Sequence, residues 1–143
     1  MSTKSLIALE NADGTVTSIH CHWDGSPRHN GRLLLDYYNQ RDDVERLQRL
    51  GNISSLRKRI EPVGQHSFNE PAEGVTVAYH RDRGDAWDCV KPAVFKSVGA
   101  FLDSNFGEQD ASFIYLFTRM DIWTVYTYNS KRPRNLVDFF NDV

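Results

Sequence analysis

The stretch HCHWDG at residues 20–25 places two imidazoles two positions apart. In a β-strand this spacing puts both side chains on one face. Two histidines so placed can bind zinc if at least one more protein ligand comes from elsewhere, and Asp24, His80 and Asp82 are the candidates. Because no second cluster has metal-ligand spacing, we expect no metal or cofactor and interpret His20 and His22 as surface residues on a solvated face of a sheet.

A second group of chemically capable side chains lies in AYHRDRGDAWD, residues 78–88. Arginines can fork onto phosphate or carboxylate, and a tryptophan can stack on a base or anchor a partner. The alternative is a surface ion-pair network that satisfies itself. No residue is predicted to be catalytic, and the candidate binding residues from both stretches are His22, Trp23, Asp24, Tyr79, His80, Arg81, Asp82, Arg83 and Trp87.

Composition excludes several classes of protein. The chain has 143 residues with 17 basic and 19 acidic side chains, a net charge of −2. This balance disfavours a general nucleic-acid binder and a DNA mimic. The basic run Arg57–Arg59 is interpreted as a solvated helix end. Phosphate-binding glycine loops, zinc-protease motifs and nucleophile elbows do not occur, so we expect a protein without enzymatic activity.

The same features predict the compartment. Cys21 and Cys89 are the only cysteines, and the start of the chain has too short an apolar run for a signal peptide or a membrane span. We therefore expect a protein with reduced thiols, no membrane association and a cytoplasmic location.

The elements that would position these residues follow from hydrophobic periodicity and turn residues. Residues 6–10 and 15–23 form a hairpin around an Asp-Gly turn, and residues 112–118 and 122–128 form another. Helices are predicted at about residues 31–39, at 42–50 and from Ser97 to Phe106, with a helical turn at 52–60 and a strand at 75–80. We expect one α+β domain over residues 1–143, in the order ββααβαββα, with about five antiparallel strands and helices on one face.

Three expectations concern packing. Thr17, Ile19, Cys21 and Trp23 share the core face of their strand, so Trp23 should be largely buried. A C-terminal helical extension, residues 129–143, should dock through Leu136, Val137, Phe139 and Phe140 on its own sheet or on a second copy of the chain in a homodimer. Finally, CHWDG and HRDRGD should be neighbours, with His22 and Asp24 facing Arg81, Asp82 and Arg83.

Three motifs carry a family resemblance: CHWDG at 21–25, LGNISSL at 50–56 and AYHRDRGD at 78–85. Together with the opening hairpin, they resemble a widespread family of small tailed-phage and prophage proteins over roughly residues 4–128. The family usually carries an aromatic residue at the position of His20 and a tyrosine at that of Ser26, so this chain departs from it there. The resemblance implies a phage accessory protein made in the host cytoplasm, and it implies no activity.

Three functions remain open at this stage. The first is a non-enzymatic protein that binds and modulates a host protein, in host takeover or counter-defence. The second is a sponge for a nucleotide-like signal, which would use the arginines for phosphate and a tryptophan for the base. The third and weakest is a metal-dependent hydrolase built on His22, Asp24, His80 and Asp82.

Overall fold

The computed structural model describes residues 3–105, 111–127, 130 and 132–141. Its strands are β1 (Ser5–Glu10), β2 (Val16–Cys21), β3 (Ile53–Ser55), β4 (Val77–Ala78), β5 (Ala93–Phe95), β6 (Phe113–Phe117), β7 (Trp123–Thr127) and β8 (Arg134–Asn135). Its helices are α1 (Arg32–Tyr37), α2 (Arg41–Gln48), α3 (Tyr79–Arg83), α4 (Trp87–Val90), α5 (Val98–Asn105) and α6 (Leu136–Asn141), and a single π-helical turn at Pro27–Gly31 precedes α1.

The strands form one mixed sheet in the order β4-β3-β2-β1-β6-β7-β8, with β5 attached to β2. The predicted antiparallel sheet of about five strands is therefore wrong in strand number and in direction. β1 pairs in parallel with β6, and β2 pairs in parallel with β3. The error has a local cause, because β3, β4, β5 and β8 have only two or three residues each and show no alternating pattern.

The two predicted hairpins are confirmed, because both depend on neighbouring residues. β1 and β2 pair from Ser5↔Cys21 to Glu10↔Val16 around a turn that ends at Gly14, where φ is +89°. The Asp13 carboxylate accepts hydrogen bonds from the Thr15 amide and hydroxyl and so stabilises this turn. β6 and β7 pair from Phe113↔Thr127 to Phe117↔Trp123; Tyr128 and Asn129 lie outside the described residues.

Both faces of the sheet are buried, so the prediction of helices on one face is wrong. One core contains Ile19 and Cys21 of β2 and the inward residues of α1, α2 and α6. The other core contains Val16 and packs against Phe101 of α5. The alternation of side chains along β2 is confirmed, but the face that carries His20 and His22 is not solvated throughout.

Several helix and strand boundaries differ from the prediction. The expected strand at residues 75–80 is only two residues long, because α3 begins at Tyr79 and takes His80 with it. The expected helical turn at residues 52–60 is instead β3 followed by extended chain. The helix after Ser97 is confirmed, since Ser97 Oγ accepts a hydrogen bond from the Ala100 amide; Phe106 lies outside the described residues.

The C-terminal helix docks on the chain's own core, which confirms one of the two predicted modes. Leu136 is fully buried, and Phe139 and Phe140 pack against the same core. Val137 points away and is 49% exposed, so the predicted apolar side is narrower than expected. β8 extends the sheet beside β7 immediately before this helix. Among the described residues, no helix has the length and apolar character of a membrane span.

Candidate functional site

The outer edge of β2 is divided between two short strands. β5 pairs with Val16–Ser18, whereas β3 pairs only with Cys21. His20 lies between the two pairings, and its backbone N–H donates 2.9 Å to Oδ1 of Asn52 instead of to a strand. A side chain therefore fills the gap that the two strands leave in the hydrogen-bond ladder.

Two cavities open at this gap, with volumes of about 210 Å³ and 200 Å³. They share His20 and Asn52, and together they define what we call the split-edge groove. Its polar and aromatic lining includes Ser18, His20, His22, Asn52, Tyr79 and Lys91, together with Lys4, Phe95 and Asn105. Either cavity alone is smaller than the ~300–1,000 Å³ of typical small-molecule sites, and as one groove they reach that range.

All three motifs of the sequence contribute to the first of these cavities. CHWDG supplies Cys21 and His22, LGNISSL supplies Asn52 and Ile53, and AYHRDRGD supplies Tyr79. The sheet order explains their meeting, because β3 lies between β2 and β4: CHWDG begins at the end of β2, LGNISSL contains β3, and AYHRDRGD begins at the end of β4. The split-edge groove is therefore the candidate functional site.

Two hydrogen-bond donors in the groove have no acceptor among the described residues, and one of them belongs to Asn52, whose backbone is held in place. The Asn52 amide donates to Val90 O at 2.7 Å, and Asn52 O accepts from the Tyr79 amide at 3.3 Å. With its Oδ1 on His20, Asn52 keeps its side-chain NH₂ free among the described residues. Ser18 is 4% exposed, and its buried hydroxyl has no partner there. A buried hydroxyl without a partner is costly in a folded protein.

The turn after β2 is organised by Asn30, which is fully buried. Its Nδ2 donates to Cys21 Sγ and to Trp23 O, each at 3.3 Å, and its backbone N–H donates to Asp24 O. Asp24 adopts a left-handed conformation with φ of 58°, and a Cβ on Gly25 would lie 2.8 Å from Thr3 O. Much of CHWDG thus shapes the backbone that presents His22 and Trp23.

The Cys21 thiol within this turn is buried and unreactive. Burial raises the pKa of Cys21 to about 11, and the hydrogen bond from Asn30 offsets this only in part. The thiol is therefore protonated at neutral pH and is a poor nucleophile or metal ligand. Cys89 is exposed and free.

Two histidine–tryptophan pairs stand on opposite sides of β3. His22 contacts Trp23 edge-on with ring centroids 4.7 Å apart, and His80 contacts Trp87 in the same way at 5.2 Å. The tryptophans are 43% and 38% exposed. The predicted burial of Trp23 is wrong because β2 ends at Cys21, and the strand alternation no longer applies two residues later.

Gly51 allows Trp87 and α4 to approach β3 closely. A Cβ at this position would lie 2.5 Å from Val90 O and 3.1 Å from the Trp87 ring, and φ is +75°. Contact and conformation therefore both require glycine here. This glycine lets the Trp87 ring lie against the backbone that precedes Asn52, a residue of the split-edge groove.

Arg81 and Asp82 are structural. Arg81 donates to Ile60 O at 2.7 Å and to Thr76 O at 2.8 Å, and its guanidinium also bonds the Asp82 carboxylate. Asp82 further accepts from the Ala78 amide at 2.7 Å and lies 3.1 Å from His66 Nε2. Burial raises the pKa of Asp82, but the hydrogen bonds from Arg81, Ala78 and His66 outweigh it and lower that pKa. This network attaches the loop at residues 61–76 to the sheet.

The Arg83 guanidinium also has partners within the fold. It forks onto Asp85 with bonds of 2.8 and 2.7 Å, and its guanidinium lies 4.8 Å from the Phe68 ring centroid and 4.5 Å from that of Tyr79. His80 Nδ1 lies 2.7 Å from Asp85 O. The self-satisfied network, rather than a phosphate site, is the arrangement found at residues 80–85.

The prediction that Asp24 faces Arg81, Asp82 and Arg83 is wrong. Among the described residues the nearest basic partner of Asp24 is His29, at 4.0 Å, while Arg81 and Arg83 pair with acids of their own segment. The two motifs meet instead through His22 and Tyr79. No group of three or more His, Cys, Asp or Glu side chains in the described ranges is placed to hold a metal ion.

Sequence reasoning missed Ser18, Asn52 and Lys91 as groove residues. Asn52 lies inside the LGNISSL motif, so the motif itself was the available signal. Its role depends on His20, 32 positions earlier in the chain. Ser18 and Lys91 carried no signal in their own neighbourhood.

Comparison of the chain with protein-family models, with curated proteins and with solved structures found no significant match. The geometry of the molecule itself therefore carries the functional interpretation.

Proposed function

We propose that this chain is a non-enzymatic binding protein that engages another protein through Trp23, Trp87 and the split-edge groove. The observation that carries the proposal is the pair of half-exposed tryptophans, each braced by a histidine on either side of β3. Tryptophan is enriched among residues that dominate binding energy at protein interfaces. A side chain held by a neighbouring ring loses less freedom on binding.

The groove indicates what the partner presents. Asn52 Nδ2 is a donor without an acceptor among the described residues. A main-chain carbonyl or a carboxylate of the partner would accept a hydrogen bond from it while the tryptophans bury apolar surface. The resemblance of the three motifs to phage proteins supports a host protein as the partner and the host cytoplasm as the place of action.

The two alternatives have less support. A nucleotide site at residues 81–83 would need arginines that Asp82, Asp85 and backbone carbonyls already occupy. A hydrolase built on Asp24 and Asp82 would need carboxylates that lie in separate networks.

Quantitative affinity purification from host lysate tests the proposal. We expect the tagged chain to enrich a specific host protein and the double variant Trp23→Ala/Trp87→Ala to lose most of that enrichment. Met120→Ala/Val63→Ala is the matched control, because it removes two exposed apolar side chains, each nearly four-fifths exposed, from other loops. Thermal unfolding verifies that both variants fold. Equal enrichment by wild type and the tryptophan variant, or no enrichment over beads, contradicts the proposal.

A further inference from the structure

A second groove, which we call the basic groove, lies where β3 continues into extended chain. It has a volume of about 490 Å³, and its lining includes Arg57, Lys58, Arg59, His29, Leu33 and Glu73. It shares no lining residue with the split-edge groove. The prediction of a helix end at residues 57–59 is wrong, since this run is not helical and lines a cavity, although Lys58 and Arg59 are exposed as predicted.

Buried partners hold the backbone of this run. The Arg57 amide donates to Thr76 Oγ1 at 2.9 Å, and Tyr38 Oη donates to Arg57 O at 2.7 Å. Arg59 bonds Gly74 O through its amide and the Thr76 amide through its carbonyl, at 3.0 and 2.9 Å. Tyr38 and Thr76 are 2% and 0% exposed. The three cationic side chains therefore project from a fixed backbone.

The side chains themselves remain available. The Arg57 guanidinium has no hydrogen-bond or ion-pair partner among the described residues. The Lys58 ammonium lies 5.8 Å from the centroid of the Tyr37 ring, and the Arg59 guanidinium donates to Glu73 O at 3.0 Å. The Glu73 carboxylate is the one acid in the lining, against three cations. This excess of positive charge on a fixed backbone favours an anion.

A neighbouring cavity of about 380 Å³ shares Lys58 and Arg59 with the basic groove. Tyr37 lines it and is 44% exposed, so one face of an aromatic ring is available beside the cations. Arg46, in the same lining, is neutralised by Asp43 at 3.6 Å and Glu61 at 3.2 Å. The excess of positive charge therefore lies in the basic groove, and the exposed Tyr37 ring lies in the neighbouring cavity.

We propose that these two cavities bind a nucleotide-sized organic phosphate, with its phosphoryl groups among Arg57, Lys58 and Arg59 and its aromatic ring on Tyr37. Guanidinium groups match phosphate oxygens in pairs, and ring-on-ring stacking tolerates any base. Glu73 weakens this site by charge repulsion.

Isothermal titration at low ionic strength with ADP, pyrophosphate and adenosine tests the proposal. We expect ADP to bind more tightly than pyrophosphate and adenosine to show no binding. Arg57→Gln should weaken ADP and pyrophosphate at least about tenfold, the value of one charge-assisted hydrogen bond. Tyr37→Leu should weaken ADP alone, and Glu73→Gln should strengthen both phosphates.

Arg49→Gln is the matched control, because Arg49 is exposed and is absent from the lining of either cavity. Arg57→Gln retains every backbone hydrogen bond of Arg57, so its melting temperature should equal that of wild type. Absence of phosphate binding, or equal effects of Arg57→Gln and Arg49→Gln, overturns the site. Equal affinity for ADP and pyrophosphate overturns the proposal that the ligand is a nucleotide. A parallel titration with single-stranded oligonucleotides overturns it too if they alone bind.

Discussion

Two arginine-rich segments of this chain use the same side chain in opposite ways. At residues 81–83 the guanidinium groups are bonded to Asp82, Asp85 and loop carbonyls, and they hold a loop to the sheet. At residues 57–59 the backbone is held by Tyr38 and Thr76, and the cationic ends line a groove. An arginine can thus be a structural donor or a binding group, and the hydrogen bonds around it show which.

The first way to test this contrast is to remove the acid at the centre of the structural segment. Asp82 has a side chain only 4% exposed, and Asp82→Ala leaves Arg81, His66 and the Ala78 amide without their acceptor. We expect a loss of about 3–5 kcal/mol in the free energy of unfolding, as for other broken buried pairs. Urea denaturation measures it.

Asp36→Ala is the control for this substitution. Its partner Arg32 lies 3.2 Å away on the exposed face of α1, and such helix pairs contribute about 0.3–0.5 kcal/mol. If Asp82→Ala costs as little as Asp36→Ala, the network at residues 81–83 is not structural, and the contrast between the two segments fails.

The second prediction concerns Tyr38, whose hydroxyl donates to the backbone of the segment at residues 57–59. Burial raises the pKa of Tyr38 to about 12, although the bond to Thr76 opposes this. A group whose pKa is higher in the folded state stabilises the fold fully below its unfolded pKa, near 10 for tyrosine, and loses that contribution as the pH rises towards 12. Wild-type stability should therefore fall over this range.

Tyr38→Phe removes the titrating group and its bonds to Arg57 O and Thr76 Oγ1. We expect a loss of about 1–2 kcal/mol at pH 7 and a shallower fall above pH 10. The fall should persist in part, because burial also raises the pKa of Tyr115 and Tyr126. Guanidinium denaturation from pH 7 to 11.5 measures both effects, and a parallel pH profile for the variant contradicts the assignment.

The long elements were predictable because their information is local. β1, β2, β6 and β7 have five or six residues with clear alternation or tight turns. β3 and β5 have three residues each; β5 pairs with β2, and β3 pairs with β2 on one side and β4 on the other. Their direction and the split edge between them follow from contacts far apart in the chain. The candidate groove could not be predicted without them.

The predicted site residues fall into two groups: those that line the cavity and those that pair with neighbouring acids. His22 and Tyr79 were expected at a shared site and do line one cavity. Arg81 and Arg83 were expected there too, but the acids that occupy them are only one and two residues away. The alternation of arginine and aspartate in the sequence therefore indicates that these side chains pair with each other. At residues 57–59 the nearest acid, Glu61, is also two residues from Arg59, but it pairs with Arg46, so spacing along the chain does not predict this outcome.

The third prediction compares one arginine from each segment, at residues 57–59 and 81–83, and it includes the smallest expected effect on stability. Arg57→Ala removes a guanidinium that has no partner among the described residues, so the free energy of unfolding should change by less than about 0.5 kcal/mol. Arg81→Ala should cost several times more, because Ile60 O, Thr76 O and Asp82 all lose their donor. Paired urea titrations of the two variants measure the difference. An Arg57→Ala variant as unstable as Arg81→Ala would mean that Arg57 is a structural donor, and the basic groove would then lose the free cation on which its phosphate binding depends.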